Sequence, residues 1–254
     1  MTRKPAGSNL PHIIILGASS AIAEAAARTW ANQGAHLLLA GRGAARLDAV
    51  AADLRTRGAV VDTVAVDLAA VDVEQAFAEM VRRLGGVDVV LVTYGILGDQ
   101  KLAESNPAEA QRLLATNFTS ATGWCLAAAN VLEKQRYGTL VVIGSVAGDR
   151  GRASNYVYGA AKAGLGILVQ GLAHRLARTG ARAVLIKPGF VDTPMTAHIA
   201  GKGFLWARPE TIGNAIVKAA GSRCGPIIYA PGFWRWIMFL IGMTPSAIFH
   251  KTRL

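Results

Sequence analysis

Acidic residues are scarce in this chain: 16 Asp and Glu stand against 27 Lys and Arg, a formal charge of +11 over 254 residues. The shortage is steepest toward the end, where no acid follows Glu210 while Lys218, Arg223, Arg235, Lys251 and Arg253 do. A basic balance of this kind suits nucleic acid, anionic lipid or a phosphorylated ligand. Nucleic acid is set aside, because the chain has neither a recognition motif nor an arginine cluster interleaved with aromatics. Cysteine is nearly absent: Cys125 and Cys224 provide neither a disulfide framework nor metal-ligand spacing, so no metal site is expected. They read as reduced thiols of a cytosolic protein. The opening M-T-R-K-P-A-G-S-N-L lacks the apolar stretch and cleavage signal of a secretory leader. Charged residues amount to only 17% and hydrophobic ones to 52%, which excludes a disordered chain and implies extensive burial in a sheet, an oligomer or lipid.

What the chain does have is a regular alternation of short apolar runs and helical patterns. H-I-I-I-L (12–16), H-L-L-L-A (36–40), V-V-D-T-V-A-V (60–66), V-D-V-V-L-V (87–92), T-L-V-V-I (139–143) and A-V-L-I (183–186) read as strands. A seventh, P-I-I-Y-A, lies near 226–230. Their apolar residues run continuously, as parallel strands covered on both faces require. Helices are expected at about 20–33, 43–57, 71–84, 106–134 and 155–179. This order predicts an α/β fold: a Rossmann-type, doubly wound parallel sheet of about seven strands with helices on both faces. Without linker or repeat, residues 1–254 read as a single domain ending in an apolar, basic tail at about 231–254. Ligands of such sheets sit beyond the carboxyl ends of the strands.

The first of those ends reads L-G-A-S-S-A-I-A-E (16–24). A strand, a glycine turn and a helix can present backbone N–H groups and a helix dipole to a pyrophosphate. Such turns usually carry three glycines; here Gly17 remains, and Ala21 and Ala23 stand where the other two are expected. Ser19 and Ser20 can cap the helix and donate to phosphate. After the second strand, A-G-R-G offers no acid for a ribose 2′-hydroxyl, while Arg42 can pair with a 2′-phosphate, so NADP(H) is favoured over NAD(H). Asp67, ending the third strand, can accept from an adenine amino group or cap the next helix.

The sharpest signal is Y-G-A-A-K, Tyr158 to Lys162, within a predicted helix, with Ser145 at the end of the fifth strand. Residues four apart share a helix face. The Lys162 ammonium is therefore expected to favour the Tyr158 phenolate and lower its pKa from near 10. The tyrosine can then act as general acid and base, with Ser145 steadying the developing alkoxide.

With these motifs in register the chain resembles the short-chain dehydrogenase/reductases from about residue 12 to 232. The resemblance implies NAD(P)-dependent interconversion of a carbonyl and a secondary alcohol, with Ser145, Tyr158 and Lys162 as catalytic triad. It implies that Asn117, in T-N-F, holds a water relaying protons to the lysine. Cofactor contacts would fall on Gly17, Ser19, Ser20 and Ile22 at the first turn and on Arg42, Asp67 and Leu68 around the adenosine. Tyr94 and Gly95 would follow the fourth strand, with Tyr158 and Lys162 nearer the ring. In K-P-G-F-V-D-T-P-M (187–195), Pro188, Gly189, Val191 and Thr193 would flank the nicotinamide. The chain departs from the family where V-T-Y-G (92–95) replaces the usual N-N-A-G, so that Tyr94 supplants a small residue near the ribose. The family habit is a homodimer or homotetramer built on the helices carrying Asn117 and Tyr158.

Within the family, Y-G-I-L-G-D (94–99), residues 145–159, residues 188–198 and the tail are similar to a narrower branch. Those enzymes reduce a 2-keto pentose carried on a polyprenyl phosphate and work with an FAD oxidase partner. The tail segment F-W-R-W-I-M-F-L-I-G-M (233–243) is aromatic-rich and too short to span a bilayer, which takes about 20 residues. Trp234, Arg235 and Trp236 suit a membrane interface, placing the protein in the cytoplasm and peripherally at the inner face of the membrane. Alternatively the tail covers an oligomer interface or closes the substrate pocket. Arg150 and Arg152, just past Ser145, can receive a substrate phosphate. A soluble reductase of a small ketone, polyol or acyl substrate stays open as the other enzymatic reading, and a nucleotide-binding module without catalysis as the third.

Overall fold

The computed structural model describes residues 10–199 and 201–252. The N-terminal segment 1–9 and Arg253 of the basic tail lie outside the described residues. The chain builds β1 (His12–Leu16), α1 (Ala21–Ala31), β2 (His36–Gly41), α2 (Ala44–Thr56), β3 (Val60–Ala65), α3 (Val73–Leu84) and β4 (Val89–Val92). After α4 (Gln100–Ser105) and α5 (Pro107–Leu114), a π-helical turn at Ala115–Ser120 leads into α6 (Ala121–Gln135). Then come β5 (Thr139–Ile143), a 3₁₀ turn at Val146–Gly148, α7 (Tyr156–Leu176) and β6 (Arg182–Pro188). A small pair, β7 (Phe190–Val191) and β8 (Trp206–Ala207), precedes α8 (Pro209–Gly221), β9 (Ile227–Ala230), α9 (Trp234–Met243) and α10 (Ser246–Phe249).

The main sheet has seven parallel strands in the order β3-β2-β1-β4-β5-β6-β9. Chain order reverses between β1 and β4, so the switch point, where sheets of this kind bind their ligands, lies beyond Leu16 and Val92. Side chains alternate across the sheet with period two. Ile13, Ile15, Leu37 and Leu39 pack under α1, α2 and α8 with Trp30, Leu47 and Ile212. Ile14, Leu16 and Leu38 face α3, α6 and α7 with Phe77, Trp124 and Leu165. Both faces are covered, which is why the strand sequences are apolar throughout.

Two departures from the sequence reading bear on the site. The single helix expected over 106–134 is α5, a π turn and α6; one extra residue per turn widens the backbone where Asn117 sits. Helix α8 was not anticipated, because Gly213 interrupts its pattern. A Cβ there would lie 2.8 Å from the Ala26 amide nitrogen, so the glycine serves the close crossing of α8 over α1.

The tail is anchored to the sheet end. Trp234 and Met238 of α9 are buried against Val146, while Trp236, Phe239, Leu240 and Met243 face outward, each more than half exposed. Among the described residues no helix is long and apolar enough to cross a membrane. Arg150 donates to the carbonyls of Ile241, Gly242 and Thr244 and stacks on Phe249, 3.9 Å from the ring centroid. It thus caps the C-terminal end of α9, where a cation also meets the helix dipole. Arg150, expected to receive a substrate phosphate, is thus in this structure a clasp of the tail.

Candidate active site

Beyond the carboxyl end of β1, Gly17 adopts φ +91°, and a Cβ would lie 2.6 Å from the Tyr94 amide nitrogen. Only glycine lets this turn lie directly on the turn after β4. Ser20 caps α1 by accepting from the Ala23 amide at 3.2 Å, and Ser19 is exposed at the same end. Ala21 and Ile22 form the partly exposed first turn; Ala23 is fully buried in the layer under α1. The two alanines therefore occupy ordinary helical positions, and the methyl at 23 is absorbed by core packing.

Arg42 is exposed beyond β2 and has no ion-pair or hydrogen-bond partner among the described residues. Asp67 is exposed, its carboxylate accepting from the Ala69 amide at 3.0 Å; Leu68 is buried. Asp72, not Asp67, caps α3. The Tyr94 ring packs into the α6 side of the core with its hydroxyl 2.9 Å from Ser120 Oγ in the π turn. This bulky departure from the family pattern is accommodated in the core, and burial raises its pKa.

Asn117 is buried, and its amide grips both backbone groups of Ile96: Oδ1 accepts from the N–H and Nδ2 donates to the C=O, each at 2.8 Å. The side chain thereby fixes the loop after β4. Gly95 makes room for this, since a Cβ would meet Asn117 Oδ1 at 2.5 Å and Lys162 Nζ at 3.8 Å.

Ser145 opens the 3₁₀ turn beyond β5, accepting from the Ala147 amide at 3.1 Å. Lys162 is buried, and its Nζ donates to the Ile143 carbonyl at 2.9 Å, 5.8 Å from the centre of the Tyr158 ring. Burial holds its pKa down at about 8. The expectation that Lys162 lowers the pKa of Tyr158 is not met in this structure. Burial pushes the phenol up to about 12, against an opposing effect of Ser145, while the Lys162 ammonium donates to the Ile143 carbonyl.

Pro188 ends β6 and Gly189 leads into β7; the Gly189 amide donates to the Ala230 carbonyl, and its Cα hydrogens face the Trp234 indole. Val191 is buried, and Thr193 begins a 3₁₀ turn. Arg152 is half-buried near Asp149, and burial lowers its pKa.

Two positions passed unnoticed in the sequence. A Cβ on Gly148 would lie 2.8 Å from the Ala163 nitrogen, and one on Gly159 2.8 Å from the Ala147 carbonyl oxygen. The turn bearing Ser145 thus presses backbone to backbone on the helix bearing Tyr158 and Lys162. Glycines inside G-D-R-G and Y-G-A-A-K were the available signal.

Such a site, with a glycine turn at the switch point and a tyrosine, lysine and serine around it, defines a nicotinamide-dinucleotide oxidoreductase. A family model described as short chain dehydrogenase matches residues 11–202, and the chain belongs to that family. It is an NAD(P)-dependent oxidoreductase acting on CH–OH groups. An uncharacterised oxidoreductase of Streptomyces coelicolor is 38% identical over 240 residues, 94% of each chain. Another, of Mycobacterium tuberculosis, is 34% identical over 245 residues, 94% of this chain and 96% of the other. An alcohol dehydrogenase from Thermococcus sibiricus, solved with 5-hydroxy-NADP, superposes with TM-score 0.77 at 25% identity over 87% of this chain and 96% of its own. The site fits the cofactor: Gly17 clears the turn, the first turn of α1 faces it, and Arg42 is uncommitted.

Gly159→Ala is expected to lower kcat at least tenfold while far-ultraviolet circular dichroism stays unchanged, because the added methyl must part the Ser145 turn from α7. Unaltered steady-state kcat would show that this approach does not set the alignment.

Proposed function

We propose that this chain reduces a carbonyl to a secondary alcohol with NADPH. The observation that supports it most is the meeting of Ser145, Tyr158 and Lys162 at the carboxyl end of the sheet, above the switch point between β1 and β4. Gly17, Ser19, Ser20 and Ile22 would hold the pyrophosphate, Arg42 the 2′-phosphate, and Asp67, Leu68, Tyr94 and Gly95 the adenosine side. Pro188, Gly189, Val191 and Thr193 would seat the nicotinamide, which supplies the hydride.

The chain's own part is proton management. Tyr158, with its pKa near 12, keeps its proton at neutrality and can deliver it to the oxygen that becomes the alcohol. Ser145 Oγ would steady the same oxygen. Once the proton has left, the nearby Lys162 cation stabilises the phenolate. Because the Asn117 side chain is committed to Ile96, its main-chain carbonyl in the widened π turn would carry any water relay to Lys162.

The substrate we favour is a keto-sugar on a polyprenyl phosphate. The reading rests on similarity to the reductase subunit of decaprenylphosphoryl-β-D-ribose 2′-epimerase, and an FAD oxidase would then be the partner. The outward face of α9, apolar and flanked by Arg235 and Lys251 without a nearby acid, supports peripheral contact with the inner face of the membrane. Exposed Leu126 and Ile167, on α6 and α7, suit a homodimer or homotetramer. A soluble reductase of a small ketone, polyol or acyl substrate is the second reading, favoured by the packing of Trp234 and Met238 on Val146, which makes α9 a pocket wall.

Tyr158→Phe should lower kcat for ketone reduction about 10²- to 10⁴-fold while NADPH fluorescence titration gives an unchanged Kd; retained turnover removes the acid role. Lys162 is cationic below its pKa of about 8 and neutral above it, so kcat/KM for reduction should be level at lower pH and fall as pH rises through about 8. The wild type should sediment with phosphatidylglycerol vesicles, and a Trp236→Ser/Leu240→Ser double variant should partition at least tenfold less, since each buried apolar side chain contributes about 1.5–3 kcal/mol. Equal partition would reject membrane contact.

A further inference from the structure

Hydride and proton reach a carbonyl together only if the groups holding the substrate oxygen and the nicotinamide keep a fixed separation. In the reading above these are the Ser145 turn, after β5, and the Pro188–Gly189 turn, at the end of β6. The two strands pair as far as Ile143 and Ile186, and the Gly144 amide still donates to the Ile186 carbonyl at 2.8 Å. Beyond that point the backbones part. The Ser145 turn closes on α7, while Lys187 and Pro188 pair with Tyr229 and Ala230 of β9.

One carboxylate bridges the gap. Asp149 ends the 3₁₀ turn that Ser145 opens, its amide donating to the Val146 carbonyl at 3.2 Å. Its Oδ1 accepts from the ammonium of Lys187, the residue before Pro188, and its Oδ2 accepts from the Tyr229 hydroxyl at 2.8 Å. Lys187 Nζ also lies 5.5 Å from the centre of the Tyr229 ring, so the three side chains form a closed set. Both charged side chains are largely buried, Lys187 12% and Asp149 13% exposed. Burial and the carboxylate push the Tyr229 phenol up to about 12, which keeps it a donor at neutral pH. Two outer cations act on the set: Arg152 on Asp149 and Arg235 on Tyr229.

A buried ion pair adds little to stability, because desolvation offsets its attraction and apolar residues of similar volume often serve a fold as well. What it supplies, and apolar packing does not, is one directed arrangement of the segments that carry it. We infer that Asp149, Lys187 and Tyr229 are positioning residues that lock the Ser145 turn to the Pro188–Gly189 turn and so set the substrate oxygen against the nicotinamide. This assignment rests on the reductase reading above. Its effect falls on kcat, since the pyrophosphate and 2′-phosphate contacts proposed for Gly17 and Arg42 lie at the other end of the cofactor.

The test separates alignment from stability in the full chain. Lys187→Met and Asp149→Asn each break the pair and should lower both Tm and kcat. The triple variant Asp149→Leu/Lys187→Met/Tyr229→Phe leaves no member of the set unpaired, so its Tm should recover above those of the single variants. Its kcat should not recover. With NADPH and whichever of cyclohexanone, ethyl acetoacetate and D-ribulose the wild type reduces fastest, kcat should stay at least fivefold below wild type. NADPH Kd from fluorescence titration should stay within twofold. With NADPH deuterated at C4 the isotope effect on kcat should exceed that of the wild type, because the hydride step itself is slowed. A smaller loss of kcat in the triple variant would overturn the assignment and leave the set a structural one. Should that variant fail to fold, Tyr229→Phe decides: kcat at least threefold lower at unchanged NADPH Kd supports the lock, and a smaller loss rejects it. If the wild type reduces none of the three ketones, the reductase reading is what fails, and hydrogen–deuterium exchange of NADP⁺-loaded protein decides the lock. The Gly144 and Gly189 amides should then exchange at least tenfold faster in the folded variant than in the wild type; a smaller change rejects the lock.

Discussion

Between β5 and α7 the chain brings two backbones together with no side chain between them. Gly148 lies on the Lys162–Ala163 peptide and Gly159 under the Ala147 carbonyl, each at a distance that forbids a methyl. The same pair of segments is tied by the Lys162 ammonium donating to Ile143, at the end of β5. Gly164, farther along α7, receives the Phe118 ring of the π turn, so Asn117 is referred to that helix as well. One 21-residue helix, Tyr156–Leu176, therefore serves as the common datum for Ser145, Asn117, Tyr158 and Lys162. Catalytic geometry has to be held within a fraction of an ångström, and contacts between backbones are stiffer than contacts through long side chains.

The sheet was legible because both its faces are covered. Continuous apolar runs leave no ambiguity of face, and the turn after each run fixes where the strand ends. Ser145, Tyr158 and Lys162 were legible for a local reason: a strand end and a four-residue helical spacing are properties of sequence neighbours. Features set by distant partners were not. Gly213 resembles a helix breaker until α1 is seen crossing it, and nothing in A-T-N-F-T-S announces a π turn. Arg150 and Arg152 look equivalent in D-R-G-R, yet one reaches the carbonyls of α9 and the other is left beside a carboxylate already taken. Tyr94 supplants a small residue of the family pattern near the ribose, and only the position of Ser120 shows that its ring turns toward the core.

The tail shows why composition alone could not decide its role. An aromatic segment without acids serves an interface or a pocket wall equally well on paper. The helix has two unlike sides: Trp234 and Met238 pack on Val146 of the Ser145 turn, while Trp236, Phe239, Leu240 and Met243 remain outside. Arg150, five residues past Ser145, caps the far end of that helix, so α9 and the Ser145 turn are mechanically one piece.

Lys162 shows what the fold concedes to chemistry. Its pKa falls from 10.5 to about 8, so the charged form is disfavoured by about 3 kcal/mol relative to water. Among the described residues no carboxylate pairs with it, and its hydrogen bond goes to a neutral carbonyl. A purely structural residue at this site would be apolar, because the surrounding core would accept a hydrocarbon without that penalty. In the proton transfer proposed above, the lysine would do what an apolar residue cannot: carry a positive charge beside a phenol whose proton is to leave. Burial raises the value of that charge for the same reason that it raises its cost, since no water screens it from the developing phenolate.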